Sequence, residues 1–140
     1  RDLHSFPTRR SSDLANGTDI LTSAVLDFGE TRAQFTVGTR MFSCQQVDAI
    51  GTGGGIHIPV PFNAYDDVPM TMTVTTGIGE RVISFDPADQ YRLQFEAFSD
   101  AVRAGGPAPA DPMDAVRNLA TMDAIFRSGD TGNHENVEMI

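Results

Sequence analysis

The residues with the greatest chemical reach in this chain are few and scattered: His4, His57 and His134, a single cysteine at Cys44, and the acidic stretch Tyr65-Asp66-Asp67. The histidines lie too far apart to read as a ligand set. His57 stands between two isoleucines in an alternating stretch, so it is expected on the polar face of a sheet rather than as a general base. His134 is expected in solvent. Asp66 and Asp67 lack the spaced oxygen ligands of a calcium loop, and a solvated loop is the expected account. Cys44 has no partner for an internal disulfide or a multi-cysteine zinc site, and is expected as a buried thiol.

The stretch Gly51-Thr52-Gly53-Gly54-Gly55 invites comparison with a dinucleotide loop. That fingerprint needs a small residue at position 56 and a helix after it. Ile56 and an alternating strand follow instead, so a tight turn between strands is expected. All ten basic residues are arginine, which removes lysine Schiff-base chemistry and the lysine of a phosphate-binding P-loop. No serine, histidine and acid set with a nucleophile elbow is visible. The residues alone therefore assign no catalytic group and no metal ligand.

A net charge of −9 without any basic cluster repels phosphate backbones and anionic lipids, so neither nucleic acid nor a membrane is an expected partner. No apolar run reaches the length of a membrane span, and a soluble, cytoplasmic protein is expected.

The elements that would position any site follow from periodicity. From Ser23 to Phe85 the pattern alternates with period two. Ala24, Leu26 and Phe28 share a face, as do Ala33, Phe35 and Val37, with Gly29-Glu30-Thr31 as a hairpin turn. A longer strand is expected over Phe42–Ile50. Ile56, Ile58, Val60 and Phe62 alternate against His57, Pro59, Pro61 and Asn63, where the two prolines mark a sheet edge or the end of pairing. Met70, Met72 and Val74 alternate with threonines, and Arg81–Phe85 follows a Gly77-Ile78-Gly79 turn. An antiparallel meander is the expected result.

The period then becomes helical. Tyr91, Phe95, Phe98 and Val102 form one stripe, capped by Asp86 or Asp89 and ended by Gly105. A second helix starts at Asp111 with Pro112 behind it and Asp114 in its first turn. Its stripe is Ala115, Leu119, Met122 and Phe126, and Gly129 or Gly132 ends it. Strands followed by helices give an α+β class: an open, mostly antiparallel sheet with two C-terminal helices packed on one face. The polar face would meet solvent or a partner.

The first fourteen residues, Arg1–Leu14, sustain no period, and His4–Leu14 resembles the translation of a sequencing adapter. They are expected to be a leader foreign to the fold. The body is then 15–132, followed by a tail, 133–140.

Two stretches, "GTGGGIHIPVPFNAYDD" and "QYRLQFEAFSDAVRAGGPAPADPMDAVRNLATMDAIFRSGDTG", resemble the C-terminal part of the Gfo/Idh/MocA oxidoreductases. The likeness is closer to the sugar (xylose-type) and dihydrodiol dehydrogenases, with His57 replacing a usual glutamate. The resemblance implies a substrate and oligomerisation domain. Its missing N-terminal partner would be a Rossmann domain holding NAD or NADP, with hydride exchanged at a carbinol of a sugar, polyol or diol. It also implies a homo-oligomer formed through the sheet. The family's Glu-Lys-Pro lysine and Asp/His pair have no counterpart here, so no catalytic role is carried over, and the fragment alone is expected to be inactive and free of cofactor. Asn63 and Gln90, at element ends beside the neighbouring domain, are the expected substrate-facing residues. The rival is a non-enzymatic module that dimerises or binds protein through its sheet.

Overall fold

The computed structural model describes residues 4–5, 8–13 and 17–138. Residues 1–3, 6–7, 14–16 and 139–140 lie outside the described residues. The chain divides into two compact units, one formed by Arg1–Phe42 with Ala110–Ile140 and the other by Ser43–Pro109. Among the described residues, two helices and two open antiparallel sheets bear out the α+β class.

In the first unit, β1 (His4–Ser5), β2 (Arg9–Asp13), β3 (Thr18–Asp27) and β4 (Arg32–Gly38) pair antiparallel around β3. Alternation set the β3–β4 hairpin correctly, with Ala24 opposite Phe35 and Leu26 opposite Ala33. Its loop closes through Phe28 N–H donating to the Thr31 carbonyl at 2.9 Å, and Gly29 N–H donating to Asp27 Oδ1 at 2.7 Å. The tail adds β9 (Glu135–Asn136), paired to β1, and buries Val137.

The second unit is a four-stranded meander: β5 (Val47–Gly51), β6 (Gly54–Ile58), β7 (Met70–Thr76) and β8 (Gly79–Phe85). The strands thus divide between two sheets, where the alternation alone suggested one meander. The expected strand over Phe42–Ile50 begins only at Val47, because the preceding residues have no partner strand. Pairing of β6 stops at Ile58, one residue before Pro59, as a missing N–H requires.

Helix α1 (Gln90–Ala104) starts at Asp89, whose carboxylate accepts from Tyr91 N–H and Arg92 N–H, and closes on Gly105. Helix α2 (Pro112–Thr131) starts at Asp111, which accepts from Met113 N–H at 3.0 Å, and closes on Gly132. Asp111→Ala should lower stability by about 1 kcal/mol in urea unfolding, with Asp111→Asn retaining most of it. An alanine variant as stable as the parent would show that the cap contributes nothing.

The core corrects the expected helix stripes. Ala24, Ala124, Ile125 and Val137 are buried, with Thr8, Thr22 and Ser128 among them, and all belong to the first unit. On α2 the buried face is Ala124, Ile125 and Ser128, while Leu119, Met122 and Phe126 lie exposed on the opposite side. Small side chains allow close approach, and the buried Ser128 is fully satisfied. Its Oγ accepts from Thr8 N–H at 3.1 Å and donates to the Asn133 carbonyl at 2.7 Å. On α1 the stripe of Tyr91, Phe95, Phe98 and Val102 is more than half exposed throughout. No residue of 43–109 is buried. No helix among the described residues is long and apolar enough to cross a membrane.

Candidate functional site

The polar groups of the second unit gather at the start of β5 and the end of β6. The tight turn expected at Gly51–Gly55 is there: Thr52-Gly53 joins the two strands, with Gly51 opposite Gly54. The same register puts Asp48 directly across from His57. His57 Nδ1–H donates to Asp48 Oδ1 at 2.7 Å, and Gln46 Nε2 donates to Asp48 Oδ2 at 3.2 Å. His57 therefore sits on the polar sheet face, oriented by a carboxylate that the sequence reading did not assign to it. Both side chains are nearly half exposed. Thr73 follows His57 in the same cross-strand row, so this face carries Asp48, His57 and the threonines.

The second gathering involves the loop after Pro59. Gln45 lies two residues before β5, and its Oε1 accepts from Phe62 N–H at 3.0 Å. Gln90, the first residue of α1, donates from Nε2 to the Phe62 carbonyl at 3.3 Å. Two side chains from distant parts of the sequence thus take both main-chain groups of one loop residue. Gln90 thus bonds the residue immediately before Asn63 and makes no hydrogen bond with Asn63 itself. Phe62 is 64% exposed. Asn63 is exposed, and its side chain makes no hydrogen bond with the described residues.

The energetics of the Gln45 and Gln90 pair are informative. An intramolecular hydrogen bond contributes about 1 kcal/mol net, because water serves exposed groups nearly as well. Ordering a glutamine side chain costs up to about 1.5–2 kcal/mol. At these half-buried glutamines the two nearly cancel, so the two bonds select one loop conformation more than they stabilise the fold.

Other sequence candidates resolve simply. Cys44 is exposed, not buried as expected, because it lies in the unpaired stretch before β5 rather than in a strand. Tyr65, Asp66 and Asp67 are exposed in their loop, and His134 is exposed in the tail. Among the described residues no group of three or more His, Cys, Asp or Glu side chains could hold a metal ion.

A dinucleotide would need a helix N-terminus with free amides. Both described helices have theirs occupied by an aspartate, Asp89 or Asp111, whose charge opposes a pyrophosphate. The Gly51–Gly55 turn leads into a strand. Neither helix start nor this turn therefore offers a pyrophosphate the free helical amides of a dinucleotide loop.

No family model matches the chain. Among curated proteins, it is 36% identical over 127 residues to the uncharacterized oxidoreductase ORF334 of Rhizobium meliloti, covering 86% of this chain and 38% of that protein. It is 31% identical over 119 residues to D-xylose 1-dehydrogenase (NADP(+)) 2 of Haloferax volcanii, covering 83% and 36% respectively. The chain thus spans well under half the length of these relatives. A variant of KijD10, a 3-ketoreductase from Actinomadura kijaniata in complex with TDP-benzene and NADP, superposes with a TM-score of 0.80 at 18% identity, over 91% of this chain and 41% of that one. The aldose-aldose oxidoreductase of Caulobacter crescentus gives 0.75 at 18% identity, over 96% and 41%. Over most of its length the chain is thus similar in sequence to part of two longer oxidoreductases, and it shares the fold of the matched portions of these two solved structures.

Proposed function

We propose that this chain is the C-terminal substrate and oligomerisation domain of a longer NAD(P)-dependent oxidoreductase acting on a carbinol of a sugar, polyol or diol. The observation that carries this reading is the extent of similarity. Most of this chain aligns with about a third of two longer oxidoreductases, one of them an NADP(+)-dependent D-xylose 1-dehydrogenase. In this reading a Rossmann domain preceding residue 15 binds the nicotinamide cofactor, and Arg1–Leu14 is foreign sequence whose β1 and β2 pair with β3. The protein works in the cytoplasm, Asn63 and Gln90 lie toward the substrate, and the open face of the β5–β8 sheet meets a second copy.

The test is to sequence the source DNA across Leu14–Ala15 with long reads, express the extended frame, and assay NADP reduction with D-xylose and other aldoses. An upstream frame without a Gly-rich strand-turn-helix, or an extended protein without sugar-dependent turnover, would overturn the reading. The isolated chain should show no saturable quenching or enhancement of NADPH fluorescence. Micromolar affinity in that titration would contradict the placement of the cofactor site.

A further inference from the structure

We propose that Gln45 and Gln90 are positioning residues that hold the Phe62–Asn63 edge of the loop as a preformed contact for a monosaccharide ring, an inference that rests on the sugar-oxidoreductase reading. Two observations carry it. Both main-chain groups of Phe62 are taken by side chains reaching from separate elements, Gln45 as acceptor and Gln90 as donor. What the held residue presents outward is an exposed aromatic ring followed by an amide with no hydrogen bond among the described residues.

The chemistry of the pair suits a sugar. One face of a pyranose or furanose is lined by C–H groups that pack on an aromatic ring, and its vicinal hydroxyls each donate and accept. A carboxamide can accept from one and donate to the next. Pro59, Pro61 and Pro69 restrict the same loop, which lowers the entropy lost when a ligand binds it. A loop fixed mainly in its conformation, with its recognition groups left open, is organised for contact.

The roles of the two glutamines differ in sign, which gives a selective test. A glutamate at position 45 keeps an acceptor for Phe62 N–H, whereas a glutamate at position 90 loses the donor and sets a carboxylate against the Phe62 carbonyl. The experiment is an amide NMR titration of the full chain with D-xylose, using the open-chain polyol xylitol as the control without a ring.

D-xylose should shift the Phe62 and Asn63 amides saturably and more strongly than xylitol. Asn63→Ala should abolish the response. Gln45→Glu should bind as the parent does, while Gln90→Glu weakens binding at least about five-fold with an unchanged unfolding midpoint. The inference is overturned by shifts that do not saturate, by equal responses to both compounds, or by two glutamate variants that behave alike. It is also overturned if loss of affinity follows loss of stability, the signature of a merely structural pair. The titration needs no cofactor, so its failure leaves the oxidoreductase reading intact. Absence of NADP-linked turnover in the extended protein would count against that reading alone.

Discussion

Gly54→Ala should destabilise the chain by at least about 3 kcal/mol, enough to remove the cooperative unfolding of the β5–β8 unit. A Cβ at this position would lie 2.1 Å from the Thr75 carbonyl oxygen, a main-chain atom held in the β6–β7 ladder. The residue also sits at φ 153°, which L side chains rarely adopt. Either β6 and β7 must separate at their paired end or the hairpin must change register. The unit can absorb little of this, because none of its residues is buried. Gly53, one residue earlier in the same turn, is the control. It has no positive φ, and a Cβ there meets nothing within 4 Å. Gly53→Ala should be neutral or stabilise by up to about 1 kcal/mol through the unfolded state. Urea unfolding of both variants, followed by circular dichroism, decides the matter. Equal midpoints would show that β6 and β7 can part at this end at no cost.

The same turn shows how far the sequence could be read. Glycines and flanking alternation were enough to place a tight turn at Gly51–Gly55, and the structure puts it on Thr52-Gly53. Once those two residues are the turn, register follows outward from Gly51 and Gly54, and three steps along it Asp48 faces His57. The pair is therefore implicit in the position of the turn, and alternation by itself does not reveal it. The holding of Phe62 was not legible in the same sense. Its partners lie 17 and 28 residues away, and no period links a coil glutamine, a loop phenylalanine and the first residue of a helix. Asn63 lies in the loop after β6 and Gln90 opens α1. The hydrogen bonds that tie Gln45 and Gln90 to Phe62 depend on how the loop turns after two prolines.

Helix limits were legible because caps are local chemistry: Asp89, Asp111, Gly105 and Gly132 each act within one turn of themselves. Which face a helix buries is a different question, since hydrophobicity gives the stripe and not what covers it. On α2 the large stripe and the buried face are opposite. The usual expectation for core substitutions is therefore inverted on this helix.

Leu119→Ala, on the exposed stripe, should change stability by no more than about 0.5 kcal/mol, since it removes a side chain that touches little and replaces one good helix former with a better one. Ala124→Leu should cost about 1–3 kcal/mol, because a fully buried site must accept three extra carbons without room. Enlarging an apolar residue would thus harm the fold where deleting one does not. Urea midpoints with unchanged m-values would measure both, and the opposite order would refute the assignment of the α2 faces. The same two substitutions also bear on the domain reading when made in the extended protein. The cost of Ala124→Leu should stay as it is in the isolated chain, since its surroundings lie within the first unit. Leu119→Ala should rise to about 2–3 kcal/mol if the stripe is covered there, the usual cost of truncating a buried leucine. A value still near zero would mean that α2 turns this stripe to solvent in the longer protein as well.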